Sequence, residues 1–271
     1  MVWRVSCTWP RFLTRADALF HINCTGTFNV YQAAAEEGIK RVVSASSINA
    51  LGFNFGGVPF QLSYLPIDEA HPTQTSDVYS LSKQILEDTA DYFWRRDGIS
   101  GVCLRLPFVF DPQSSKQGGF AGGASDHFSR LAALSEAERA EQIRQVWSLC
   151  EQMQRDRVAE RPWQALDASR TPDQEQAMDG RRTVLGVTNL WTSIHVEDSA
   201  QAFERGLTAE YEGSHPLFVS QAENRAGVDS ETLAQMFFPV VVRKRPLQGR
   251  ESLVSIERAR QLIGFDPQNP L

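Results

Sequence analysis

An alternation of helical and strand patterns over the first hundred residues restricts the fold of this chain more than any other feature. A helical pattern runs from Asp17 to about Glu37, and Gly38 follows it where a left-handed helix end belongs. The short apolar run that begins at Arg41 predicts a buried strand, which ends in Ser46 and Ser47.

The same order then repeats. A polar stretch over 49–75 predicts a loop, and the residues from 77 to 97 give the clearest helical pattern in the chain. Gly98 closes that helix, and the next strand spans 99–106 and stops at Pro107. Helix, strand, loop, helix and strand in this order predict a parallel α/β sheet.

The pattern changes after residue 112. Residues 113–125 are rich in glycine and serine, and a charged helix is expected from Ser135, where Glu138 completes a capping box, toward Glu160. The sheet pattern resumes at Thr183–Val187, which we expect to be a strand. Further elements are expected at the Ile194–Val196 turn, in helices over 197–207, 229–237 and 255–263, and in a strand over 217–219. The predicted organisation has three parts: an α/β part (1–112), a mostly helical and loop excursion from the sheet (113–182), and the remaining strands with a smaller C-terminal part (183–271).

Charge and composition exclude several functions. The 271 residues carry 33 acidic and 27 basic side chains, and the net charge of −6 argues against binding nucleic acid. No stretch approaches the roughly 18 to 20 apolar residues of a membrane-spanning helix, and the first twenty residues lack a signal-peptide core, so we expect a cytoplasmic protein. Neither the four cysteines nor the five histidines have metal-site spacing, and no metal is predicted.

Tyr79 and Lys83 form the sharpest chemical motif. Residues four apart share one face of a helix, so the phenol and the ammonium point the same way. A tyrosine is a poor base at neutral pH, and a neighbouring ammonium favours its phenolate form, which suits a general acid/base for a hydroxyl proton. Ser46 and Ser47 end the preceding strand at the sheet edge where open α/β folds bind ligands.

These motifs resemble those of the extended short-chain dehydrogenase/reductases, of the NAD-dependent epimerase/dehydratase type. The similarity runs from about Asn23 to Pro267. The segments that carry it are Asn23–Val30, Arg41–Ser47, the Tyr79–Lys83 pair, Arg105–Phe110, Ser193–Ala200 and Ala259–Pro267. The resemblance implies a Rossmann-like parallel sheet with helices on both faces. Residues 1–112 would then be a partial dinucleotide-binding domain, 113–182 would lie on the substrate side, and 183–271 would include a smaller substrate-binding part.

The resemblance also implies roles. Ser47, Tyr79 and Lys83 would be catalytic, with Tyr79 moving the hydroxyl proton and Ser47 orienting the substrate oxygen. NAD or NADP would be the cofactor, bound by the residues Asn23, Ser46, Tyr79, Lys83, Pro107 and Phe108. The implied activity is reversible hydride transfer at a carbinol carbon of a sugar-like or nucleotide-sugar substrate, with a homodimer formed through the 77–97 helix.

One departure from the family weakens this interpretation. The family's first strands and its G-x-x-G-x-x-G turn, which seats the pyrophosphate, have no match here, so we expect an N-terminally incomplete sheet with an open edge. Three hypotheses follow: a hydride-transferring enzyme, completed by a lost N-terminus or a partner chain; a catalytically silent homologue that serves as a binding or scaffold module; and a truncated product without its own function.

Simpler interpretations of single residues stay open. Ser46 and Ser47 can cap the following loop, and Asn23 can be a local helix residue. His195 is expected to pack at a turn rather than to do chemistry. The glycine-rich run over 118–123 is expected to be a mobile substrate-side loop rather than a phosphate loop, because no clear helix follows it.

Overall fold

The computed structural model describes residues 16–112, 124–158, 180 and 183–270. The strands in these ranges are β1 (Arg41–Ser47), β2 (Tyr64–Leu65), β3 (Ser100–Leu106), β4 (Phe108–Phe110), β5 (Ser193–His195), β6 (Ser214–Phe218) and β7 (Val242–Arg243). The helices are α1 (Ala16–Phe20), α2 (Gly26–Glu36), α3 (Val78–Asp97), α4 (Ala124–Ala133), α5 (Glu136–Val158), α6 (Val196–Thr208), α7 (Ser230–Phe237) and α8 (Glu257–Ile263). A π-helical turn, His21–Thr25, joins α1 to α2, and a 3₁₀ turn, Ile48–Leu51, follows β1.

The central sheet is parallel, with the strand order β1–β3–β6. Ser46 pairs with Arg105 and Ser47 pairs with Leu106, so β1 and β3 end at the same edge. Two shorter parallel pairs, β2 with β7 and β4 with β5, lie outside this sheet. The predicted parallel α/β fold is confirmed.

Helices cover both faces of the sheet. Side chains of a strand alternate between the two faces, so neighbouring residues of β3 pack against different helices. Cys103 of β3 packs in a cluster with Tyr31 of α2 and Phe93 of α3. Its neighbours Val102 and Leu104 pack in a different cluster, which includes α6 and α8. The near-complete burial of β3 explains its almost uninterrupted apolar sequence.

Local capping fixes the ends of α3. Asp77 is its N-cap, and the carboxylate accepts a hydrogen bond of 2.9 Å from the backbone nitrogen of Ser80. At the other end Gly98 has a φ of 66°, in the left-handed region that glycine adopts at little cost. These caps confirm the helix that the sequence predicts over 77–97.

The predicted strand at Thr183–Val187 is wrong, because residues 183–188 form a helix. Its hydrogen bonds are local and helical: Asn189 N donates to Leu185 O at 3.2 Å, and the Thr188 hydroxyl donates to Val184 O, four residues earlier, at 2.8 Å. Val184 and Val187 are both buried, a spacing that suits one helix face. A short run of β-branched and apolar residues does not distinguish a buried strand from a buried helix.

The predicted turn over Ile194–Val196 is instead the end of β5 and the first residue of α6, whereas the predicted helices of the C-terminal half agree with the structure. Helix α5 begins after Ser135, whose hydroxyl and backbone nitrogen bond the Glu138 carboxylate in the expected capping box. Helices α6, α7 and α8 confirm the three predicted helices, and β6 overlaps the predicted strand over 217–219. The glycine-rich run over 118–123 and the segment before Ala16 lie outside the described residues. Within the described ranges, no helix is long and apolar enough to cross a bilayer.

Candidate functional site

Ser47 ends β1 and caps the 3₁₀ turn that follows it. Its hydroxyl oxygen accepts hydrogen bonds from the backbone nitrogen of Asn49 at 3.2 Å and from Asn49 Nδ2 at 3.1 Å. Its proton faces the carbonyl oxygen of Leu106 at 3.5 Å, which is long for a hydroxyl donor. Ser47 therefore caps the turn, as the simpler interpretation allows, and also lies at the carboxyl edge of the sheet.

Lys83 connects α3 to the end of β1. Only 2% of the residue is exposed, and Nζ donates a 2.8 Å hydrogen bond to the carbonyl oxygen of Ala45, two residues before Ser47. Nζ also lies 5.7 Å from the centroid of the Tyr79 ring. The ammonium thus bridges the strand end and the phenol, which is the geometry that the i, i+4 spacing predicts.

The Tyr79 ring is half-buried on the same face of α3. Phe55, from the loop after β1, packs edge-on against it, with ring centroids 6.1 Å apart and planes at 79°. The Tyr79 ring is therefore close both to an apolar ring and to an ammonium.

A buried ion pair anchors α3 one turn beyond Lys83. Glu87 binds Arg105 of β3 through two hydrogen bonds, of 3.0 and 2.8 Å, and the side chains are only 11% and 4% exposed. The Ser46 hydroxyl donates to the same carboxylate at 2.6 Å. Ser46 and Arg105 are partners in the strand register, so Glu87 ties α3 to two strands at once.

Asn23 lies in the π-helical turn between α1 and α2. Its Nδ2 donates to Ser82 Oγ at 2.9 Å, and Ser82 in turn donates to the carbonyl oxygen of Tyr79 at 2.7 Å. Single π-helical turns occur often at functional sites. Asn23 therefore contacts the helix that carries Tyr79, which is more than a local helix contact.

Pro107 and Phe108 lie where β3 passes into β4, directly after the residue whose carbonyl faces Ser47. The guanidinium of Arg225 lies 5.5 Å from the centroid of the Phe108 ring. Burial lowers the pKa of Arg225 from its ordinary value.

The structure therefore brings the predicted residues to one edge of the sheet: Ser46, Ser47, Tyr79, Lys83, Pro107, Phe108 and, through Ser82, Asn23. The sequence interpretation did not identify Asn49, Phe55 or Arg225. An asparagine two residues after a strand-ending serine is a turn signal that could have indicated the first. No pattern in the sequence indicates the other two, because each meets its partner only through the fold.

His195 caps α6, and its Nδ1 accepts from the backbone nitrogen of Glu197 at 3.2 Å. This contact agrees with the expected packing role at a turn. Among the described residues, no three histidine, cysteine or acidic side chains gather as a metal site.

A parallel α/β sheet with helices on both faces defines the class of Rossmann-like folds. The model of the NAD dependent epimerase/dehydratase family matches residues 4–163, which is more than half of the sequence. The chain belongs to that family.

Curated relatives match a shorter segment. Uronate dehydrogenase of Pseudomonas syringae pv. tomato is 35% identical over 101 residues, which cover 37% of this chain and 34% of the relative. A putative UDP-glucose 4-epimerase of Methanocaldococcus jannaschii is 32% identical over 97 residues, 36% of this chain and 30% of the relative. The chain thus spans about a third of the length of these relatives.

Solved structures support the fold. A short-chain dehydrogenase/reductase superfamily protein from Agrobacterium tumefaciens, solved with bound NAD, has a TM-score of 0.54 at 17% identity, covering 99% of this chain and 74% of that one. A UDP-galactose 4-epimerase has a TM-score of 0.50 at 17% identity, covering 97% and 70%. At this identity the likeness concerns the fold alone.

Proposed function

We propose that the chain is an NAD-dependent oxidoreductase or epimerase that acts by reversible hydride transfer at a carbinol carbon of a sugar-like or nucleotide-sugar substrate. The observation that carries this proposal is the position of Lys83, whose Nζ joins the end of β1 to the Tyr79 ring. Family membership and the similarity to segments of a uronate dehydrogenase and of a UDP-glucose epimerase support the substrate class.

The donors present fit the nicotinamide and ribose side of a dinucleotide. The Lys83 ammonium and the Tyr79 hydroxyl offer hydrogen bonds to sugar hydroxyls, and the backbone at Pro107 and Phe108 borders the same edge. When bound, the nicotinamide supplies a hydride acceptor and donor. NADP is the second possibility, because the residues that choose between the two cofactors have no match in the sequence.

The protein's own residues would handle the proton and the substrate oxygen. Tyr79 takes the hydroxyl proton as the carbonyl forms, and it returns the proton in the reverse direction. Lys83 stabilises the phenolate electrostatically. Ser47 donates a hydrogen bond to the substrate oxygen, and Asn23 supports α3 through Ser82.

A catalytically silent homologue is the second candidate. The observation that favours it is the absence of any G-x-x-G-x-x-G turn from the sequence, since that turn is what places a pyrophosphate on a helix N-terminus. Such a protein would keep the fold and the hydrogen bonds of the site while lacking firm cofactor binding.

Cofactor binding distinguishes the two candidates. We expect titration with NAD to give a saturable change in intrinsic fluorescence from the six tryptophans, with NADP titrated in parallel. Reduction of NAD is then followed with a uronate and, separately, interconversion is followed with a UDP-hexose. Saturable binding with turnover supports the enzyme, whereas no saturable binding of either dinucleotide contradicts it and supports the silent homologue.

A further inference from the structure

The hydroxyl of Ser47 has its two lone pairs occupied by one neighbour. The backbone nitrogen and the side-chain Nδ2 of Asn49 both donate to Ser47 Oγ, at 3.2 and 3.1 Å. A serine hydroxyl has two acceptor lone pairs and one proton. With both lone pairs engaged, Ser47 can act on a further group only by donating its proton.

The hydroxyl proton of Ser47 makes only a long hydrogen bond. Its acceptor in the structure, the carbonyl oxygen of Leu106, lies 3.5 Å away, beyond the usual range for a hydroxyl donor. A ligand oxygen at the sheet edge can therefore compete for this proton at little cost.

Asn49 is itself held rigidly. It is buried in the 3₁₀ turn Ile48–Leu51, and its carbonyl oxygen accepts a 2.8 Å bond from the nitrogen of Gly52, which closes the turn with a φ of 96°. Among the described residues, the side-chain Oδ1 of Asn49 has no hydrogen-bond partner. The hydrogen bond from Nδ2 to Ser47 is therefore what orients the amide group.

We propose that Asn49 is a positioning residue that makes Ser47 a hydrogen-bond donor toward the reacting oxygen of the substrate. This inference rests on the proposed function, in which Ser47 donates to the substrate oxygen, and it deepens it by naming the residue that holds Ser47 in that role. A donor is what the reaction needs, because negative charge develops on the substrate oxygen when Tyr79 removes its proton and decreases again as the carbonyl forms.

Two substitutions of similar size separate this role from packing. In Asn49→Asp the ionised carboxylate has no proton to donate and instead accepts the Ser47 proton, so kcat is expected to fall about 10²-fold, as when one donor to a developing oxyanion is lost. In Asn49→Leu the side chain keeps the branched shape and the number of heavy atoms, with larger methyl groups, and loses the Nδ2 bond, so kcat is expected to fall about tenfold. The KM for NAD is expected to change less than twofold in both.

The pH profile gives a sharper test of the aspartate variant. A protonated carboxyl group can donate to Ser47 as the amide does, so the ratio of kcat in Asn49→Asp to kcat in the wild-type protein should rise as pH falls. Taking the ratio at each pH removes any pH dependence that the two proteins have in common. A purely structural role for Asn49 would leave this ratio flat.

If Asn49→Asp does not fold, as judged by cooperative urea unfolding, Asn49→Leu decides alone. Wild-type kcat in Asn49→Leu, or a flat ratio in Asn49→Asp, overturns the role of Asn49 while the proposed function stands. Absence of turnover in the wild-type protein overturns the proposed function, and the role of Asn49 with it.

Discussion

Ser46 of β1 and Glu87 of α3 are joined by a hydrogen bond of 2.6 Å at the carboxyl edge of the central sheet. Tyr79, Lys83 and Glu87 follow one another at intervals of four along one face of α3. The bond from Ser46, with the Glu87–Arg105 ion pair, fixes where that face lies against the strand that ends in Ser47.

The Glu87–Arg105 pair is expected to contribute strongly to stability. Glu87→Gln leaves the buried Arg105 without its counter-charge, and the free energy of unfolding should fall by about 3–5 kcal/mol. Asp91→Asn is the matched control on the same helix, because Asp91 and Arg95 are half or more exposed; its effect should stay within about 0.5 kcal/mol. Urea unfolding followed by fluorescence measures both. Similar values for the two variants would contradict the structural role of the buried pair.

Tyr79→Phe should remove turnover and weaken NAD binding by no more than about tenfold, since the phenol hydroxyl moves the proton but offers the cofactor only one hydrogen bond. General acid/base groups contribute about 10²–10⁴-fold, and kcat should fall by at least the lower value. Tyr92→Phe is the control, as it makes the same change on the exposed side of α3, where 41% of the residue is accessible. Full activity in Tyr79→Phe would refute its assignment as general acid/base.

The N-cap of α3 should matter for activity as well as for stability. Asp77→Ala removes the bond to Ser80 N and is expected to cost about 1 kcal/mol. Asp229→Ala removes an equivalent cap on α7, where the carboxylate accepts from Thr232 N at 2.9 Å.

Urea unfolding should give similar losses for the two cap variants. Only Asp77→Ala should lower kcat, because Tyr79 lies in the first turn of α3. Equal turnover in both variants would show that the first turn does not depend on its cap for alignment.

His71 is expected to make stability dependent on pH. It is buried, its Nε2 accepts from Ser63 N at 2.9 Å, and Nδ1 lies 2.9 Å from the carbonyl oxygen of Pro72, so the neutral ring satisfies both contacts. Burial lowers the pKa of His71 below its ordinary value of 6.5. The unfolded chain then binds a proton that the folded protein does not.

The contribution of His71 to the free energy of unfolding is therefore complete above about pH 6.5. It is lost as the pH falls below that value, with a slope of at most about 1.4 kcal/mol per pH unit. Urea unfolding of the wild-type protein and of His71→Gln between about pH 5 and pH 7.5 measures the difference. Parallel pH profiles for the two proteins would rule out this contribution.

The local signals in the sequence predicted much of the fold. The helical pattern from residue 77 and the stop at Gly98 placed α3 within a residue, and a buried apolar run followed by serines placed β1. Both depend on interactions within a few residues of the chain. The segment over 183–188 was predicted as a strand because its composition suits either structure, and the helical backbone bonds there decide the outcome.

The candidate site also has features that the sequence predicts and contacts that only the fold creates. The spacing of Tyr79 and Lys83 on a helix follows from the sequence, as does the position of Ser47 at a strand end. The contact of Phe55 with Tyr79, the cation of Arg225 beside Phe108 and the carboxylate shared by Ser46 and Arg105 do not.

The sequence by itself determined which residues can do chemistry and which local element carries each of them, because helix faces, caps and strand ends depend on neighbours along the chain. Only the tertiary structure decided that Lys83 would reach the Ala45 carbonyl and that Glu87 would bind two strands. The physical reason is burial. Taken out of water, each of these charged groups requires a partner, and the partners lie on strands that reach α3 only when the sheet has formed.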